Sequence, residues 1–298
     1  MNKIVILILL VLFGLSCSEQ KPLSSQTVQN TENFISYISS VKLPTELSFC
    51  GEKVPLEIPE VKERAEREFY LLLQQPGQVI LYVKRAGIYF PMFEKLLKEN
   101  NVPDDFKYLA VAESALYMAR STKDAVGLWQ FIETTGRKMG LRIDNYVDER
   151  KHPEKSTEAA IKYLKEGYDV HKSWLLAAAG YNMGHLGVIS NIDFQNTNDY
   201  FEMFLNEETS RYILRIVIIK EFMTNYAKYG FKIENEDIYT PPKYKLVDCK
   251  DGILNLAEWA KAKGTTYKQI KLLNQWILQK SLPAPPKGES YQIAVPEK

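Results

Sequence analysis

The chain has 298 residues, 45% hydrophobic and 25% charged, which suits one large domain or two modest ones with packed cores and excludes a disordered or fibrous protein. Its 38 Lys and Arg nearly cancel its 37 Asp and Glu, leaving a net charge of +1. No Lys/Arg block is long enough to follow a phosphate backbone, which argues against a nucleic-acid partner.

At the N-terminus Lys3 precedes an apolar run from Ile4 to Phe13, too short for a comfortable membrane span and followed by small residues, the pattern of a secretory signal over residues 1–16. The run ends Gly14-Leu15-Ser16-Cys17, which resembles a bacterial lipobox, with Gly14 where Leu is usual. That resemblance implies a lipid on Cys17 and attachment to a membrane. Residues 17–44, rich in Ser, Gln, Asn and Thr, read as a flexible tether without a core. The two other cysteines, Cys50 and Cys249, form an even pair in an oxidising compartment. Either they are disulfide-bonded or they are two unrelated buried thiols.

From Pro59 to Leu97, Phe69, Leu72, Ile80, Val83, Ile88 and Phe93 recur at helical spacing, and Gln75-Pro76-Gly77 interrupts them, so two or more helices are expected. Residues 102–230 also read as helical. Helix starts fall at Pro103-Asp104-Asp105 and at Ser156, an apolar helix runs from Trp174 to Tyr181 and Asn182 before Gly184, and an amphipathic helix follows Arg211. After Pro241-Pro242 the character changes: a strand from Tyr244 to Val247, helices over 254–263 and 267–273, and a strand from Tyr291 to Val295 make a β-α-α-β module over residues 241–298. The fold class is therefore mainly α, with a helical region over 45–240 whose central part spans about 100–230.

The chemistry centres on Glu113. Between Tyr108 and Met118 it stands among apolar residues and strong helix formers with almost no other polar group. A lone carboxylate buried in such a helix holds its proton toward neutral pH, as a general acid requires. His152, His171 and His185 are scattered without ligand spacing, which argues against a metal site, and no cofactor is implied. Asp148, Glu149 and Arg150 read as a structural salt-bridge turn.

Several pieces occur in order: Tyr89 to Glu94, Val102 to Leu109, Ala112-Glu113-Ser114, Ser121 to Phe131, Thr135 to Leu141, Val147 to Arg150, Tyr181-Asn182 with Gly184, and Glu208 to Tyr212. In this order they resemble the membrane-bound lytic murein transglycosylase D family, whose catalytic domain is of the SLT, goose-lysozyme-like kind. The C-terminal module resembles a degenerate LysM domain, through Leu256 to Ala260, Thr265 to Ile270, Leu273-Asn274 and Val295-Pro296. It departs from that pattern by a long insertion from Trp276 to Lys287.

The resemblance implies a lysozyme-like fold and non-hydrolytic cleavage of the β-1,4 bond between N-acetylmuramic acid and N-acetylglucosamine, leaving 1,6-anhydro ends. Glu113 is then the single general acid and base, and peptidoglycan glycan strands are the partner. It places the chain in the bacterial envelope as an outer-membrane lipoprotein. A hydrolytic muramidase and an inactive glycan-binding scaffold are the alternatives.

Carried over residue by residue, Ser121 bonds the acetamido group or Glu113, or caps a helix, and Gln130 contacts substrate or is a buried structural amide. Trp129 lines the cleft or belongs to the core. Tyr181 bonds Glu113 or the scissile sugar and tunes the acid, and Asn182 positions the sugar or caps a helix. Glu208 reaches the cleft or is a helix-start acid, and Tyr212 lines the cleft. Asp124 replaces a family Gly, and Asp tolerates a positive φ if that Gly served one.

Overall fold

The computed structural model describes residues 25–297. The signal segment 1–16 and the expected lipid site Cys17 lie outside the described residues. Helix α1 (Ser25–Ser40) occupies ground expected to be a flexible tether. No Gly or Pro interrupts this stretch, and the Ser39 and Ser40 hydroxyls bond back to Ile35 O and Tyr37 O at 2.8 and 2.7 Å, consistent with a helical backbone. Residues 42–298 form a separate compact unit.

That unit starts with a hairpin, β1 (Ser48–Phe49) and β2 (Glu52–Lys53), turned by Cys50 and Gly51 at φ 52° and 85°. Two positive φ values in a two-residue loop match the twist of the flanking strands. Helices α2 (Pro59–Leu73) and α3 (Pro76–Glu99) follow, divided at the expected interruption. On α2, Val61, Ala65, Phe69 and Leu73 repeat every four residues and are buried, and this stripe faces α9 (Glu207–Thr224). Glu68, on the same side, is buried against Arg211 at 2.8 Å and Arg215 at 3.1 Å of α9.

Between them come α4 (Phe106–Ser114), α5 (Glu133–Lys138), α6 (Pro153–His171), α7 (Trp174–Met183) and α8 (His185–Gln195). Helix α6 starts three residues before the expected Ser156, because Pro153 suits a first helical position and the His152 ring accepts from the Lys155 amide at 3.4 Å. Leu175 to Gly180 of α7 and Phe106 to Val111 of α4 are buried in unbroken runs, and α9 buries most of its middle. A helix apolar on all sides is a core helix. These three form the centre of the region, with α6 packed on α7 and α2 on α9.

The C-terminal module has the expected β-α-α-β order: β3 (Tyr244–Cys249), α10 (Leu256–Ala262), α11 (Tyr267–Leu273) and β4 (Tyr291–Pro296). The strands are antiparallel, in register from Tyr244 opposite Pro296 to Cys249 opposite Tyr291. Thr266 and Gln269 cap α11 reciprocally. The Trp276–Lys287 insertion begins by docking the module. Ile277 bridges Val147, the Asp148 amide donates to Trp276 O at 2.9 Å, and the Leu278 amide donates to Tyr146 O at 2.8 Å. Val147 thereby joins the module's own apolar core with Leu256, Ile270, Ile277 and Ile293.

Both remaining thiols are free, so the possible Cys50–Cys249 disulfide is not formed. Cys50 sits in the β1–β2 turn, its amide donating to Asp105 at 2.7 Å, whereas Cys249 ends β3 and its thiol donates to Asp251 O at 3.1 Å.

Candidate active site

Glu113 is the penultimate residue of α4, with the helix carbonyls ending beside it. Ala115 and Leu116 both adopt left-handed conformations, at φ 54° each, and stop the helix at once. The Ser114 hydroxyl ties this end down by donating to Leu128 O at 2.8 Å, and Arg85 of α3 donates to Ala115 O at 2.9 Å.

Burial pushes the Glu113 carboxyl up to about 7. The hydrogen bond from Tyr212 pulls the other way, Glu208 adds a like charge that raises it further, and Arg215 lowers it. The helix C-terminus disfavours the carboxylate in the same sense as burial. The result is a carboxyl that exchanges its proton near neutral pH, as proton transfer in both directions requires.

The tyrosine that bonds Glu113 is Tyr212, whose hydroxyl donates to Oε1. Tyr181, expected in that place, instead donates to Trp129 O at 2.7 Å. Its ring packs against Phe131 and Tyr163 at 5.9 and 5.6 Å, and Glu113 is close enough to raise its hydroxyl pKa after burial has done so. Helix rotation decides between the two: Tyr212, with Arg215 three residues on, faces α4 from α9. Tyr181 lies at the end of α7 and turns to the loop that follows Glu113.

That loop, residues 115–131, holds four non-glycine residues at positive φ: Ala115, Leu116, Asp124 and Gln130. Asp124 meets the sequence expectation at φ 60° and is held by Arg120 at 2.9 Å. Ser121 accepts from the amides of Lys123 at 3.2 Å and Ala125 at 3.1 Å, so it shapes a turn, where a helix cap, a bond to Glu113 or a bond to the substrate's acetamido group was expected. Gln130 donates its amide to Gly127 O at 2.7 Å and Ala119 O at 3.3 Å, closing the loop on itself.

Gly127, at φ 90°, leaves no room for a side chain, because a Cβ there would lie 2.0 Å from Arg150 O. Trp129 is fully buried against Phe93, with its ring nitrogen on Thr157 at 2.8 Å, and belongs to the core. Arg150 braces the loop from behind. It is paired with Asp148 at 2.8 Å and donates to Asp124 O and Phe131 O, both at 3.2 Å.

Asn182 was expected to position the sugar or cap a helix, and among the described residues it caps none. Its amide oxygen accepts from Thr209 at 2.7 Å and its nitrogen donates to Glu208 at 3.2 Å, locking the end of α7 to the start of α9. Glu208 lies in the first turn of α9 and acts electrostatically on Glu113.

Sequence reasoning passed over Arg215, although its spacing of three from Tyr212 puts both on one face of α9. It also passed over the support behind Tyr181. His185 fills the space left by Gly167 and Gly180, where a Cβ would stand 2.2 and 2.1 Å from its ring, and bonds Tyr163 O at 3.2 Å. Among the described residues no three His, Cys, Asp or Glu side chains converge to hold a metal.

Residues 90–204 match the family model of the transglycosylase SLT domain, and residues 245–298 match that of the soluble lytic transglycosylase C-terminal LysM-like domain. Glu113, Gln130, Tyr181 and Asn182 fall within the first match, and Tyr212 lies just beyond it. The membrane-bound lytic murein transglycosylases D of Escherichia coli strain K12 and of a second Escherichia coli strain are each 27% identical over 196 residues. The alignment covers 64% of this chain and 43% of each relative. The chain thus spans less than half the length of the curated relatives it matches. It is homologous to these transglycosylases and carries an SLT transglycosylase domain followed by a LysM-like C-terminal domain.

Proposed function

We propose that the chain is a peptidoglycan lytic transglycosylase with Glu113 as its single general acid and base. The observation that carries this reading is the Glu113 carboxyl, pushed to about 7 by burial and bonded by Tyr212. Glu113 protonates the glycosidic oxygen between N-acetylmuramic acid and N-acetylglucosamine, and the substrate's acetamido group steadies the cationic centre. Glu113 then takes the proton from the C6 hydroxyl as that oxygen closes the 1,6-anhydro ring. Most glycosidases need a second carboxylate as nucleophile or to activate water. Here substrate groups fill that role.

Tyr212 aims the acid, while Tyr181 and Gln130 fix the loop that walls the cleft. Asn182 holds α7 to α9, and Ser121 shapes the turn over which the sugars lie. The LysM-like module holds glycan strands, and a lipid on Cys17 keeps the enzyme in the bacterial envelope. The names of the relatives, which are membrane-bound and act on murein, support both readings.

Purified protein should release 1,6-anhydromuropeptides from sacculi, and Glu113→Gln should abolish release. Reducing-end products would mean hydrolysis instead. Sacculus binding with no soluble product would mark a glycan-binding scaffold.

A further inference from the structure

A cleft of about 830 Å³ lies between the helical region and the C-terminal module. Arg85, Leu116 and Tyr117 form one wall, and Tyr267, Lys268 and Lys271 the other. With Lys151 the lining holds four cations and no carboxylate, in a chain whose net charge is only +1. None of the four is in a salt bridge among the described residues.

Arg85 spends one guanidinium N–H on Ala115 O and lies over the Tyr117 ring at 5.5 Å, which leaves further donors of its planar fork open. Lys271 donates to Ile277 O, and burial together with the positive charge of Lys151 disfavours its own charge. Mutually repelling cations gathered without counter-ions favour an anion. Ile88, Leu278 and the tyrosines add apolar wall, so the anion that fits is carried on an organic chain.

The cleft lining includes residues that follow the acid closely in the chain. Leu116 is three residues beyond Glu113, at most about 11 Å along the backbone. The strand proposed as substrate carries, on each muramic acid, a short peptide with free carboxylates. Four extended residues reach about 13 Å. We propose that this cleft binds the acidic peptide of the glycan strand, so that cleavage favours peptide-bearing sugars over bare glycan. The proposal rests on the lytic reading above.

Two measurements separate the cleft from the reaction. The full chain carrying Glu113→Gln should bind a soluble acidic stem tetrapeptide in calorimetry. Adding Lys151→Gln and Lys268→Gln should weaken that binding about fivefold to tenfold, and salt should weaken it as well. Equal binding by both proteins, or binding by neither, overturns the proposal.

In the active protein the same two substitutions should lower the ratio of kcat/KM on intact sacculi to kcat/KM on amidase-stripped glycan by a similar factor, and an unchanged ratio overturns it. Peptide binding that needs the lysines in a protein without lytic activity keeps the cleft and removes the reaction. Phosphatidylglycerol vesicles bound through these lysines, with no peptide bound, would assign the cleft to lipid and overturn the proposal.

Discussion

The Tyr212 hydroxyl, on α9, donates to the Glu113 carboxylate at the end of α4. This bond favours the charged form of the acid, while burial favours the neutral form more strongly and sets the value at about 7. With protonated Glu113 as the starting acid, kcat/KM should fall about tenfold per pH unit above that value. Tyr212→Phe removes a hydrogen bond that favours the carboxylate, so the alkaline limb should move to higher pH while kcat drops. A pH–rate profile of the variant checks the sign, and a limb that stays or moves down excludes the tuning role.

Stability carries the same signature. The folded Glu113 pKa lies above its unfolded value near 4.5. Below about pH 4.5 both states are protonated and nothing is lost. Between about 4.5 and 7 the unfolded chain releases a proton that the folded chain retains, so stability falls as pH rises. Glu113→Gln should therefore melt higher than the wild type at pH 8, by about 1–3 kcal/mol, and close to it at pH 4. Melting curves at the two pH values decide it.

Part of the candidate site's arrangement was legible from residue order. Glu113 announced itself as one carboxylate in an apolar helical run, and the β-α-α-β order of the last 50 or so residues is visible in their turns and periodicity. The tyrosine partner was not. Tyr181 stands on an apolar helix and Tyr212 on the buried face of an amphipathic one, and only the packing of α7 and α9 decides which hydroxyl reaches the acid. Polar composition suggested a tether where α1 forms, since a helix needs only the absence of breakers and a few spaced apolar groups. The Trp276–Lys287 insertion looked like decay of a LysM pattern, because its role lies in bridges to residues 145–148, far away in sequence.

The Gly180–His185 contact predicts non-additive stability. Gly180→Ala would place a methyl 2.1 Å from the His185 ring and should cost about 1–3 kcal/mol. In a His185→Ala background the same change should be nearly neutral, a coupling that a double-mutant cycle measures directly.

Arg150 is almost fully buried and depends on Asp148 for its charge partner. Asp148→Ala leaves that guanidinium without its counter-ion and should destabilise the chain by about 3–5 kcal/mol. Since Arg150 also bonds Asp124 O and Phe131 O, lytic activity measured well below the melting temperature should fall as well.

Two free thiols predict an intact mass that does not change with reductant. Cys50 should react slowly with thiol reagents at neutral pH, since burial and the neighbouring Asp105 raise its pKa far above the usual thiol range.

The seam between residues 145–148 and 276–279 ties the C-terminal module to the helical region through hydrogen bonds. A binding module on a flexible leash captures polymer within a sphere and leaves the blade free to fall anywhere inside it. This one is bonded to the region that carries Glu113, which works like the fence of a saw if those bonds hold it at a set bearing. If the module grips the wall as proposed above, the cut should fall a fixed number of sugars away, and fragment length should become a property of the protein's geometry.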